Sequence, residues 1–362
     1  MRCRTISHAA SLTSVYPSTS DLMDIARIIL TALLIMASFA QPVSAEDTEF
    51  EWDSTSASEW TPSFRKVEIP SAKDGSVQNA YFRPTTSAQP QPLIVSLHTW
   101  SGGYSQKDPM AADVEARDWN YIHPHFRGFN NKPEAMVSDL VLADIDDAIA
   151  YALANANVDP DQIHIVGVSG GGLATLACYM ELSRSIRSFN AWVPISDLEA
   201  WYWESRGRRF NYADHIMAAI GADGKIDEAE ARRRSPLYKS LPADARRAAT
   251  LRIYAGIHDG HIGCVPVSHS VNFYNRVAGE WNYSTSNLDE IYRLAQNDSS
   301  LVSKDELLSL LAKRINPAYL QHGDTLLGRP VHLRRSSGRV SLIIFEGEHE
   351  QLPGALSLID VE

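Results

Sequence analysis

The sequence predicts an α/β fold with a mostly parallel central sheet and helices on both faces. Three observations carry that expectation. From Leu93 onward, short apolar and β-branched runs alternate with stretches of helical spacing, the order a parallel sheet needs because each strand is returned to its starting end by a crossover. Runs such as Ile163-His164-Ile165-Val166 are apolar enough for strands covered on both faces. A chain of 362 residues with 44% hydrophobic content is also long enough to bury a large core.

Taken in order, Phe64–Pro70 and Val77–Arg83 flank Lys73-Asp74-Gly75, a turn signal, and read as a hairpin. Leu93–Leu97 is the next buried strand and Asn120–His123 a further short one. Val137–Ala154 places Leu140, Ile145, Ala148, Ile149 and Ala152 on one helical face, with Asp144, Asp146 and Asp147 expected on the wet side. The strand around Ile163, Ile165 and Val166 leads into a helix whose Leu173, Leu176, Ala177 and Met180 share a face. Ala191–Ile195, Leu251–Ala255 and Ser341–Phe345 are the later strands. Two stretches interrupt the alternation. Residues 199–247, rich in Trp, Tyr and Arg, suit a small inserted cap, and residues 280–335 form a long polar insertion in which Ser303-Lys304-Asp305-Glu306 opens a helix through Leu311 by a capping box.

Residues 1–45 stand apart from this fold. Ile28–Ala40 is apolar but short for a membrane span, and Val43-Ser44-Ala45 is a small-x-small cleavage signal, so the segment reads as a signal peptide, with Met23 as an alternative true start. A secreted or periplasmic protein, with no stable membrane insertion after cleavage, is the expectation. Residues 46–63 read as a flexible lead-in and residues 64–362 as the domain. The formal charge of −11 argues against a nucleic-acid partner, which would need a basic face. Beyond the leader only Cys178 and Cys264 remain, enough for one bridge but for no disulfide framework.

Gly167-Val168-Ser169-Gly170-Gly171, set between a strand and a helix, carries the chemistry. A Gly-x-Ser-x-Gly turn in that context forces the serine into a strained conformation with its hydroxyl clear of the sheet, and makes Ser169 the candidate nucleophile. A serine needs a base, and the base a carboxylate to orient it. In chains with this elbow the order is serine, acid, histidine. Asp259 follows the strand Leu251–Ala255 and His349 follows Ser341–Phe345, so both fit; Asp197, after Ala191–Ile195, is the rival acid, unless it caps the helix that starts near Leu198. An oxyanion would be met by the backbone N–H of Gly170 and by one from His98-Thr99-Trp100-Ser101-Gly102-Gly103, with Trp100 preferred and Thr99 or Ser101 close behind. The histidine pairs at 258/261 and 123/125 lack the partners of a metal site, and this chemistry requires no metal and no cofactor.

With these residues in place the chain resembles the α/β-hydrolase superfamily and, within it, the prolyl-oligopeptidase-like branch. Gly167–Gly172, Gly256-Ile257-His258-Asp259 with Val265-Pro266 and His269-Ser270, and Phe345–Glu350 carry the resemblance, and His123–Gly128 adds to it. It implies Ser169, Asp259 and His349 as nucleophile, acid and base. Family peptidases place a large β-propeller ahead of this domain, and fewer than 20 residues separate the expected cleavage site from the first strand. The chain is therefore also similar to bacterial carbohydrate esterases, pectin-methylesterase-like members included. An exported serine esterase acting on methyl or acetyl esters of a uronate-containing polysaccharide is the resulting expectation, with a peptidase of small peptides as the alternative. Trp201-Tyr202-Trp203 could stack on sugars, and Arg206, Arg208 and Arg209 could hold carboxylates. His98, Arg127, Trp201, Arg206, Arg208 and His258 are the candidates for substrate contact.

Overall fold

The computed structural model describes residues 60–312 and 323–359. The expected signal peptide and most of the expected lead-in lie outside the described residues. The strands run β1 (Arg65–Pro70), β2 (Val77–Arg83), β3 (Gln91–Leu97), β4 (Asn120–Pro124), β5 (Val158–Val168) and β6 (Ser188–Trp192). They continue through the hairpin β7 (Gly221–Ala222) and β8 (Lys225–Ile226) to β9 (Thr250–Gly256), β10 (Thr325–Leu326), β11 (Arg329–Ser337) and β12 (Val340–Phe345). Apart from β7 and β8, all join one sheet in the order β1-β2-β4-β3-β5-β6-β9-β12-β11-β10. From β4 across to β12 neighbouring strands are parallel, and the antiparallel pairs lie at the two edges. This is the α/β-hydrolase architecture.

The helices are α1 (Met110–Ala116), α2 (Asp139–Asn155), α3 (Gly170–Glu181), α4 (Leu198–Gly207), α5 (Tyr212–Ile220), α6 (Glu228–Arg234), α7 (Ala243–Arg246), α8 (Ser268–Tyr283), α9 (Leu288–Leu294) and α10 (Lys304–Leu311). Period-two alternation of buried residues in the central strands feeds two cores. Leu93, Val95, Leu97, Ile163 and Ile165 face α2, α3 and α8, whereas Ile94, Val166, Val168, Tyr254 and Phe345 face α1 and the turn Ala355–Leu358. Both faces are thus covered, which is why the strands carry apolar residues in consecutive positions.

Several local expectations change. The Val137–Ala154 helix begins at Asp139, capped by Ser138, whose side chain accepts from the Val141 N–H. Asp144 is not on its wet side: the carboxylate is fully buried and paired with Arg127. Helix α3 is buried all round from Gly170 to Met180 rather than along one face, because it is sandwiched between the sheet and its neighbours. The strand expected at Ala191–Ile195 runs Ser188–Trp192. The segment 280–335 hides the start of β11, which its Arg329-Pro330 opening and Arg334-Arg335 middle disguise and which only the two-residue β10 covers on its outer side; charged residues and proline are typical near sheet edges. The capping box at Ser303 forms as the spacing predicts. Trp60 lies against the domain, stacked on Tyr81 with centroids 4.4 Å apart.

Candidate active site

Strand β5 ends in the elbow. Ser169 adopts φ 57° and ψ −114°, a strained conformation for a residue with a side chain. Its N–H is tied to the Trp192 carbonyl of β6 at 2.9 Å. The glycines are there for closeness. A Cβ on Gly167 would overlap the Gly171 carbonyl, and one on Gly171 would overlap the Leu97 carbonyl of β3, so α3 can leave the sheet this tightly only without those side chains.

The register then assembles the rest. Strands β9 and β12 are parallel neighbours with Gly256 opposite Phe345, so the loops that follow them emerge side by side. The first carries Asp259 and the second His349. His349 Nε2 lies 2.9 Å from Ser169 Oγ, and its Nδ1 lies 2.7 Å from Asp259 Oδ2. The other carboxylate oxygen, Oδ1, accepts from the N–H groups of Gly260 and Val265, both at 2.9 Å. Asp259 is therefore buried, fully satisfied and held in one orientation. Burial of His349 disfavours its imidazolium, but the Asp259 carboxylate, with the Cys264 thiol adding to it, outweighs that and holds its pKa well above the ordinary 6.5. The rival acid Asp197 is placed elsewhere, capping α4 through the Ala200 N–H and accepting from the Tyr238 hydroxyl at 2.6 Å.

The loop after β3 lies across the start of α3. A Cβ on Gly170 would come within 2.6 Å of the Trp100 nitrogen, so the Trp100 backbone packs directly against the residue that follows Ser169. Gly170 opens α3, where N–H groups have no helical acceptor. Among the described residues, the Trp100 N–H also lacks an acceptor.

The structure commits most of the expected substrate-contact residues to other work. Arg127 donates through Nε and Nη2 to Asp144 at 2.6 and 3.0 Å, and through Nη1 and Nη2 to Asp74 at 2.8 and 3.1 Å, pinning α2 to the β1–β2 turn. His98 is buried, stacked on Phe126 at 3.8 Å, with its nitrogens 2.8 Å from the Thr99 and His125 carbonyls; burial lowers its pKa to about 3. Trp201 is buried edge-on against Trp100, so it offers no face to a sugar. Arg208 donates to backbone carbonyls of the Asp259 loop. His258 donates from Nε2 to Glu346 at 2.6 Å. Arg206 is exposed and donates to the Tyr202 hydroxyl at 2.8 Å, with its guanidinium 5.7 Å from the ring of the half-exposed Trp203. Cys178 and Cys264 are both free.

Sequence reasoning passed over Glu346. It takes N–H groups from His258 and from His332 at 2.7 Å, joining both loops of the site to β11. Burial opposes its negative charge, yet the two imidazoles hold its pKa below the ordinary carboxylate value. A carboxylate three residues before His349 was the only signal available, and its partners are distant in sequence.

A strained serine at the elbow of a doubly covered parallel sheet, with a buried acid on the loop after β9 and a base on the loop after β12, defines a serine hydrolase of the α/β-hydrolase fold. Residues 115–286 match the prolyl oligopeptidase family, Peptidase_S9, a span that includes Ser169 and Asp259. The uncharacterized protein YfhR of Salmonella typhi is 28% identical over 109 residues, which cover 29% of this chain and 37% of that one. Among solved structures, the acylaminoacyl peptidase of Pyrococcus horikoshii superposes with a TM-score of 0.46 at 17% identity, covering 58% of this chain and 34% of that one. A puromycin-hydrolyzing peptidase of Mycobacterium tuberculosis gives 0.48 at 17% identity, covering 70% and 38%. The chain thus spans little more than a third of the length of these relatives. None of these matches is to a carbohydrate esterase.

Proposed function

We propose that the protein hydrolyses small peptide-type acyl bonds through an acyl-enzyme at Ser169. The observation that carries this reading is the continuous relay from Ser169 Oγ through His349 to Asp259, with hydrogen bonds of 2.9 and 2.7 Å. Ser169 Oγ attacks the acyl carbonyl carbon while His349 Nε2 accepts the hydroxyl proton. Asp259 keeps the Nδ1–H tautomer and stabilises the imidazolium that forms. The oxyanion lies between the N–H groups of Trp100 and Gly170, and each such donor is worth about 3–4 kcal/mol in the transition state. His349 then returns the proton to the leaving amine, and water repeats the sequence on the acyl-enzyme.

Peptidase-like activity is preferred to polysaccharide esterase activity for two reasons. The family match supports it, and of the residues on which sugar and uronate recognition would rest, Trp201 is buried against Trp100 and Arg208 is committed to backbone carbonyls, leaving the exposed Trp203, Arg206 and Arg209. Export remains part of the proposal, on the apolar run Ile28–Ala40 and the cleavage signal before Glu46. A panel of aminoacyl p-nitroanilides, acetylated xylan and methyl-esterified pectin tests the substrate class. Release of p-nitroaniline supports the reading. Release of acetate or methanol without any amide turnover overturns it in favour of the esterase.

A further inference from the structure

Arg208 closes α4 in the insertion between β6 and β9, and its guanidinium points at the loop that carries the triad acid. Nη2 donates to the Cys264 carbonyl at 2.7 Å, and Nη1 to those of Gly260 and Gly263 at 3.2 and 3.4 Å. The indole Nε1–H of Trp201, about two turns earlier, donates to the same Cys264 oxygen at 3.1 Å. The Arg208 guanidinium stacks 4.9 Å from the Phe210 ring centroid. The acceptor that Arg208 and Trp201 share belongs to the Cys264–Val265 peptide, and the N–H of that peptide donates to Asp259 Oδ1. A cation on the carbonyl side of a peptide unit polarises its N–H and strengthens the bond made on the far side.

We infer that Arg208 is a positioning residue for catalysis, acting on Asp259 through the Cys264–Val265 peptide and coupling the inserted helices to the triad. The inference rests on the reading of Ser169, His349 and Asp259 as a triad. The loop it holds has little room to relax: a Cβ on Gly263 would come within 2.6 Å of His349 Cβ and would overlap Asp259 Oδ1. Lysine cannot replace the arginine, because one ammonium cannot fork across three carbonyls as a planar guanidinium does.

The test is the second-order rate at which a fluorophosphonate labels Ser169, a readout that depends on triad alignment and not on which substrate the protein prefers. Arg208→Ala and Arg208→Lys are each expected to lower it about 10- to 100-fold, the usual cost of a small misplacement of catalytic groups. KM for the neutral ester p-nitrophenyl acetate stays unchanged, and added ethylguanidinium restores part of the rate to Arg208→Ala. Trp201→Phe, which removes only the indole donor, lowers the rate several-fold with a folded protein and covers the case in which the arginine variants do not fold. Wild-type labelling rates in folded Arg208 variants, or in Trp201→Phe, overturn the inference, as does a loss confined to KM. A wild-type protein that is not labelled at all overturns the triad reading as well, which separates the two failures.

Discussion

Replacing Arg127 by methionine should destabilise the protein without touching substrate affinity. The side chain is 7% exposed and its partner Asp144 has no exposure at all, so the substitution strands a buried carboxylate. Breaking a buried pair from one side costs about 3–5 kcal/mol. The second partner, Asp74, is 36% exposed and adds little because water screens it. At about 2–4 °C of melting temperature per kcal/mol for a domain of this size, the midpoint should fall by about 6–20 °C. Thermal unfolding followed by circular dichroism reads this. Arg127→Met/Asp144→Leu, which removes both charges, should recover much of the loss, and the double-mutant cycle isolates the pair. An unchanged midpoint together with a raised KM would refute the reasoning and return Arg127 to the substrate.

Other outcomes follow from the same geometry. Asp259→Asn should lower kcat by about 10⁴-fold, since it imposes the wrong imidazole tautomer while leaving packing intact; steady-state kinetics on any turned-over ester or anilide checks it. The rate depends on neutral His349, whose pKa is raised, so kcat/KM should climb with pH through an apparent pKa above 6.5 and be low in acid. A pH profile with its midpoint below 6.5 contradicts that assignment. Under native conditions a maleimide should label Cys264, which is part-exposed, and reach the buried Cys178 only after denaturation, with no reductant needed in either case; peptide mapping distinguishes them. Gly167→Ala should yield little folded protein, because its methyl group meets the backbone of α3, and soluble yield measures this.

What the sequence made legible was whatever depends on local spacing. The elbow, the capping box at Ser303 and the hairpin across Gly75 are each set by residues a few positions apart, and each forms as its local pattern demands. The placement of Asp259 and His349 was also legible, because it follows from chain order and from the rule that parallel strands deliver their loops to one edge of the sheet. What stayed hidden depends on partners far away in the chain. Asp144 looks like a wet helix residue until Arg127 is brought to it, and Arg208 looks like a free cation until the Asp259 loop folds onto it. Tryptophan and arginine are equally at home on a sugar-binding face and inside a cap, and composition cannot separate the two. Strand β11 was missed for a related reason: its charged positions lie near the sheet edge, beyond the reach of the two-residue β10, where polarity hides the pairing.

The most direct test of the account is the site of covalent labelling. Incubation with a fluorophosphonate, followed by intact-mass measurement and peptide mapping, should give one adduct per chain, located on Ser169. The adduct should be absent in Ser169→Ala and form far more slowly in His349→Ala. Undiminished labelling of Ser169→Ala, or an adduct mapped to another residue, would contradict it.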